Sequence, residues 1–159
     1  MHNSISMTPL TRYKKLQEKM GLPKLTELKN TFKFELNNDH EVFDQIRVEI
    51  SDRLFAFSDR IVEPIIAGSD SFCCLFEQDM ITKKEREEMF VIYKKIQELK
   101  WQNNLLMIKP NEKSTAEWIQ QTWNLWNNEM SVTLATLCKK LAISWKDLKI
   151  KDEKAYYHG

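Results

Sequence analysis

Phe43-Asp44-Gln45-Ile46-Arg47-Val48-Glu49-Ile50-Ser51-Asp52-Arg53-Leu54-Phe55-Ala56-Phe57-Ser58-Asp59-Arg60-Ile61 is the stretch that decides the fold class. Its apolar residues Phe43, Ile46, Ile50, Leu54, Phe57 and Ile61 recur at steps of 3, 4, 4, 3 and 4. That spacing lays one stripe along an α-helix, whereas a strand would alternate apolar and polar residues. Asn38 and Glu41 fit a capping box ahead of it, with Asn standing in for Ser or Thr. A long helix is expected over 39–67. Pro64 should kink or end it, because proline lacks an N–H and crowds the preceding turn. Gly68 supplies a stop.

The same period returns twice further along. Thr82 and Glu85 make a second capping box, followed by Met89, Ile92, Tyr93, Ile96, Leu99 and Leu106 on one face. Lys109-Pro110-Asn111 ends that helix, expected over 83–107. Ser114 and Glu117 make a third box, although Asn111 offers an earlier cap. The helix it opens, 115–142, carries Ile119, Trp123, Trp126, Met130, Leu134, Leu137 and Leu141. Shorter pieces flank these three. Thr8 and Pro9 start a helix over 9–20 that Gly21 stops. Pro23 starts a short stretch with Leu25, Leu28 and Phe32, and 32–36 is a connector. Ser69 to Phe76 reads as a short helix or turn, and Ser144 caps a last short helix with Trp145, Leu148 and Ile150. The expected fold is all-α, a bundle of three long helices in one domain spanning 1–159. Within it, 9–36 holds the short N-terminal helices and connector, 39–142 the bundle core, and 143–159 a short helix and frayed tail.

Composition agrees. Three glycines and four prolines in 159 residues are too few for a sandwich or barrel, which turns every 8–12 residues or so. Hydrophobic content of 42% excludes a wholly disordered chain. The 24 basic and 23 acidic residues leave a net charge of +1, which demands no nucleic-acid or anionic-membrane partner. Cys73, Cys74 and Cys138 are an odd set and read as reduced, mostly buried thiols, with a redox or metal role for the adjacent pair as the alternative. The longest apolar runs, Phe72–Phe76 and Leu105–Ile108, are too short to span a bilayer. Met1 to Leu10 lacks the pattern of a signal peptide. A reducing cytoplasm is the expected compartment.

Each long helix also carries apolar residues away from its main stripe. Val48, Phe55 and Val62 are seven apart, and so are Trp118, Leu125 and Val132. Phe90, Trp101, Leu105 and Ile108 lie across from the Ile92–Leu99 face. A helix in a small bundle has one interior face, so a second apolar face needs a covering element or another chain. The expectation is a homodimer, or a contact with another protein, through Val48, Phe55, Val62, Trp101, Trp118, Leu125 and Val132. The alternative is a single chain with the first helix and Phe72–Phe76 laid across the bundle. Ser51-Asp52-Arg53 recurs seven residues later as Ser58-Asp59-Arg60, a solvated or interfacial charged face. Arg53 can pair with Glu49 one turn back. Asn103 interrupts the main stripe between Leu99 and Leu106; a buried amide there needs a partner and would set the register between helices. Thr122 and Thr133 are its candidate partners.

Little in the chain carries chemistry. There is no Gly-rich phosphate loop, no His-Glu-x-x-His and no Cys-x-x-Cys, and the histidines are His2, His40 and His158. Glu85, Glu88 and Glu98 on one helix and Glu117 and Glu129 on another are the only pieces for a metal-dependent enzyme, and their order does not converge. No catalytic residue and no cofactor is assigned. Five tryptophans suit core and interface packing. The segment 137–151 resembles a helix-turn-helix turn region, with Lys139, Lys140, Lys146 and Lys149 as its nucleic-acid contacts. It lacks the usual turn glycine, and no further helix follows to serve as a recognition helix. The expected function is a non-enzymatic, self-associating interaction module, with DNA binding and metal-dependent catalysis as the alternatives.

Overall fold

The computed structural model describes residues 8–36, 41–68 and 71–149. Among these every regular element is helical: α1 Pro9–Met20, α2 Leu25–Phe32, α3 Val42–Phe57, α4 Glu63–Ala67, α5 Phe72–Met80, α6 Lys83–Ile108, α7 Glu112–Leu125 and α8 Ser131–Asp147. A π turn, Ser58–Val62, joins α3 to α4, and a second, Trp126–Met130, joins α7 to α8. Through these turns α3–α4 and α7–α8 each continue as one helical rod, and α6 is a third, unbroken one. α3 packs on both α6 and α7, and α6 packs on α7. α1 lies against α3 and α7, α2 against α3, and α5 touches α4 and α8.

The starts and stops follow local chemistry. The Thr8 hydroxyl accepts from Thr11 N–H, and Gly21 ends α1 in the left-handed region at φ 67°. Buried Tyr13 donates its hydroxyl to Pro23 O at 2.7 Å, which fixes the turn from α1 to α2. Burial, and after it the nearby Glu27 carboxylate, pushes that phenol well above its ordinary range. Thr82 and Glu85 form the expected reciprocal cap. The α7 cap is Asn111, whose Oδ1 accepts from Ser114 N–H at 2.9 Å; the Ser114–Glu117 box is displaced by the earlier start. α3 begins after Glu41, and Asn38 and His40 lie outside the described residues.

Pro64 does not end its rod. It stands in the first turn of α4, directly behind the π turn. A π turn widens the helix, which gives the ring the room that a regular turn denies it. The cost is phase. The buried stripe of the rod runs through Phe43, Ile46, Ile50, Leu54, Ser58, Val62 and Ile65, with Val42, Arg47 and Ser51 buried beside it, and it leaves out Phe57 and Ile61. From Ile50 to Val62 the steps are all four, as expected for one residue inserted into an α-helix. The same happens in the third rod, where Thr122, Met130 and Leu134 are buried with Trp126 half-buried between them. Ser58, swung into the core, has a hydroxyl with no partner among the described residues.

The core polar pair is resolved at Asn103. Arg47 Nη1 donates to Asn103 Oδ1 at 2.6 Å, and Arg47 Nε donates to Asp44 Oδ1 at 3.3 Å. The amide thus locks α6 to α3 in register, with Arg47 rather than a threonine as partner. Thr122 bonds within its own helix, to Trp118 O at 2.8 Å. Arg53 bypasses Glu49 and donates to Lys33 O at 3.2 Å, tying α3 to the connector.

Candidate functional site

Carboxylates are the first residues to test for chemistry. The Glu85 carboxylate takes Lys140 Nζ at 2.5 Å and also caps α6 through Thr82 N–H and the Thr82 hydroxyl, each at 2.8 Å. The Lys140 hydrogen bond, then the bonds from Thr82, hold the Glu85 carboxyl down at about 2. Glu129 is taken by Lys95 at 2.5 Å. Glu88 stands 3.9 Å from Lys84, and Glu117 the same distance from Lys113. Each of these four acids has its own cation, and among the described residues no three His, Cys, Asp or Glu come together in a way that could hold a metal ion.

The thiols are less buried than expected. Cys73 and Cys138 are exposed and Cys74 is half-buried, because α5 lies on the outside of the α4–α8 corner. Cys74 and Cys138 border one cleft there, of about 340 Å³, whose other walls include Ile61, Ile65 and Leu141. Glu77 also lines it, and its carboxylate accepts from Trp145 Nε1 at 3.0 Å.

The helix-turn-helix reading loses its turn. α8 continues through Ser144 to Asp147 without interruption. Leu141-Ala142-Ile143-Ser144 contains neither glycine nor proline, so nothing breaks the helix. Lys140 is bound to Glu85, while Lys139, Lys146 and Lys149 are exposed along and beyond one helix. Ser144 is not a cap, and the separate C-terminal helix does not exist among the described residues.

The seven residues of the second stripes separate. Val62, Trp118 and Leu125 are 0, 2 and 5% exposed, covered by their own chain. The π turns explain Val62, which takes over the core position that Ile61 would hold in an uninterrupted helix. Trp118 and Leu125 sit ahead of the second π turn on the wide inner face of α7, and Trp118 Nε1 donates to Leu99 O at 2.9 Å. Val132 follows that π turn and is thrown out to solvent. Phe55 is half-buried under the Lys100 ammonium, 6.0 Å from its ring centre. Val48 remains exposed.

The outer face of α6 is what remains. Met89, Ile92, Ile96, Leu99, Asn103 and Leu106 point inward. Away from them Trp101, Leu105 and Ile108 are 71, 58 and 76% exposed, while Met107, one turn after Asn103 and on its side of the helix, is 63% exposed at the helix end. Trp101, Leu105 and Ile108 follow at steps of four and three, so they form one ridge over two turns. Phe90 stands 11 residues before Trp101, and Lys94 lies over its ring at 5.5 Å. Met107 is not legible as a surface residue from periodicity alone. The signal is the unbroken run Leu105-Leu106-Met107-Ile108: four successive residues go round a whole helical turn, so they cannot all face inward.

No protein-family model matches the chain, and neither does any curated protein or solved structure. Among the described residues no helix is long and apolar enough to cross a membrane.

Proposed function

We propose that this protein is a non-enzymatic helical interaction module that self-associates, and that the outer face of α6 is its contact surface. One observation carries this reading: Trp101, Leu105 and Ile108 stand side by side in solvent at the C-terminal end of the longest regular helix. They present roughly 400 Å² of apolar surface, the size of the largest patch on a typical monomer, which is often a functional one. A Trp within such a patch is the usual anchor of a protein contact. The three-rod bundle serves as the rigid support, since the Arg47–Asn103 bond and the Trp118–Leu99 bond fix α6 to α3 and α7. Three free thiols suit a reducing, cytoplasmic setting.

Light scattering on a size-exclusion column tests it. The wild-type mass should rise above 19.0 kDa as the protein is concentrated from micromolar to hundreds of micromolar. Trp101→Glu should stay at 19.0 kDa with unchanged helicity, because Trp101 makes no core contribution. A wild-type mass of 19.0 kDa across that range would overturn the proposal.

A further inference from the structure

We infer that the partner on this face is a second copy of α6, laid antiparallel across a two-fold axis that passes between Asn103 and Asn104. The inference rests on the self-association proposed above and adds its geometry. Glu98 and Lys109 are 11 residues apart, which is three helical turns, so they lie on one edge of the Trp101–Leu105–Ile108 ridge. Both are exposed, and among the described residues neither is in an ion pair. Glu98 accepts only a long bond from Gln102, at 3.4 Å.

In an antiparallel pair, residues on one edge face the same edge of the partner. An axis midway between Glu98 and Lys109 then sets Glu98 opposite Lys109 of the second copy and, by symmetry, Lys109 opposite its Glu98. The same axis brings Trp101 of each copy against Leu105 of the other. In a parallel pair each edge faces the partner's other edge, which here carries the uncharged Gln97 and Asn104. Both edge charges would then stay unpaired. The antiparallel arrangement covers the apolar ridge and pairs both charges at once, and it is complementary charge that fixes the register of such a contact.

The area sets the strength. Roughly 400 Å² per copy falls short of the ~800 Å² of a standard interface, so the dimer is a reversible one with a dissociation constant on the order of micromolar or weaker.

Charge reversal tests the register. Glu98→Lys places two cations opposite one another twice per dimer, and Lys109→Glu does the same with anions. Each single variant should weaken dimerisation about tenfold by light scattering or sedimentation. The double variant E98K/K109E should return to wild-type affinity. Mixing the two single variants should also restore a dimer. One copy then carries cations at both positions and the other anions at both, so every facing pair is again of opposite sign, a rescue that misfolding cannot imitate. A wild-type dimer that neither single variant weakens, or that neither the double variant nor the mixture restores, overturns this register while leaving self-association standing. A wild-type protein that remains monomeric overturns both.

Discussion

Among single residues, two side chains set measurable quantities. Arg47 is buried with its guanidinium on Asn103 and Asp44. Asn103→Leu removes the shorter of those bonds and leaves buried donors without an acceptor, a loss of about 1–3 kcal/mol. Pairing it with Arg47→Met should recover part of that loss, since an apolar pair leaves no orphaned donor; urea titration of the two singles and the double reads the coupling. Glu85 makes the pH dependence. Its folded pKa is lowered to about 2 from an ordinary 4.5. A depressed carboxylate contributes stability above the ordinary value, and that contribution fades as pH falls from about 4.5 towards 2. The difference in thermal midpoint between wild type and Glu85→Gln should therefore be present at neutral pH and shrink through that window. A difference that stays constant down to pH about 2 would assign the effect to something other than ionisation.

Among the helices, the two π turns govern which residues face the core. Each acts as a single inserted residue. Removing one residue from Trp126–Met130 should restore a regular helix and leave both flanking faces in phase. Deletion of exposed Asn127 then spaces the inner residues at alternating steps of three and four, and should cost less than about 2 kcal/mol. Deletion of exposed Ala135, inside regular α8, has no such slack. It turns everything after it by about 100° and lifts Leu137 and Leu141 out of the core, a loss of about 3–5 kcal/mol. Comparable melting of the two deletion variants would show that the π turn is not the phase-setting element. The same feature explains where expectation from sequence departs from the fold. Phe57 and Ile61 would be core residues in an uninterrupted helix, and Ser58 and Val62 hold those places instead. Nothing in the local pattern of Ser58–Val62 announces the extra residue except Pro64 behind it.

Across the protomer, the periphery is held less firmly than the rods. α5 is joined to α8 by the Trp145 Nε1 bond to Glu77 at 3.0 Å and by the Phe76–Trp145 ring contact, with 6.0 Å between centres. Trp145→Ala should raise amide exchange in Phe72–Met80 severalfold while protection in α6 holds, because α6 is anchored from two sides. Equal acceleration in both would mean that the corner and the rods unfold as one unit. The all-α class, the capping of α1 and α6, the span Pro9–Met20 and, to within one residue at its end, the span Lys83–Ile108 follow from the sequence alone, since each depends on contacts within a few residues along the chain. Which apolar residues lie inside is settled only by the packing of distant segments. Val62, Trp118 and Leu125 share their seven-residue spacing with Val48, Phe55 and Val132, yet three are buried, one is half-buried and two are exposed. Spacing fixes angles only along an unbroken helix, and the π turns reset those angles to suit the packing of one rod on the next.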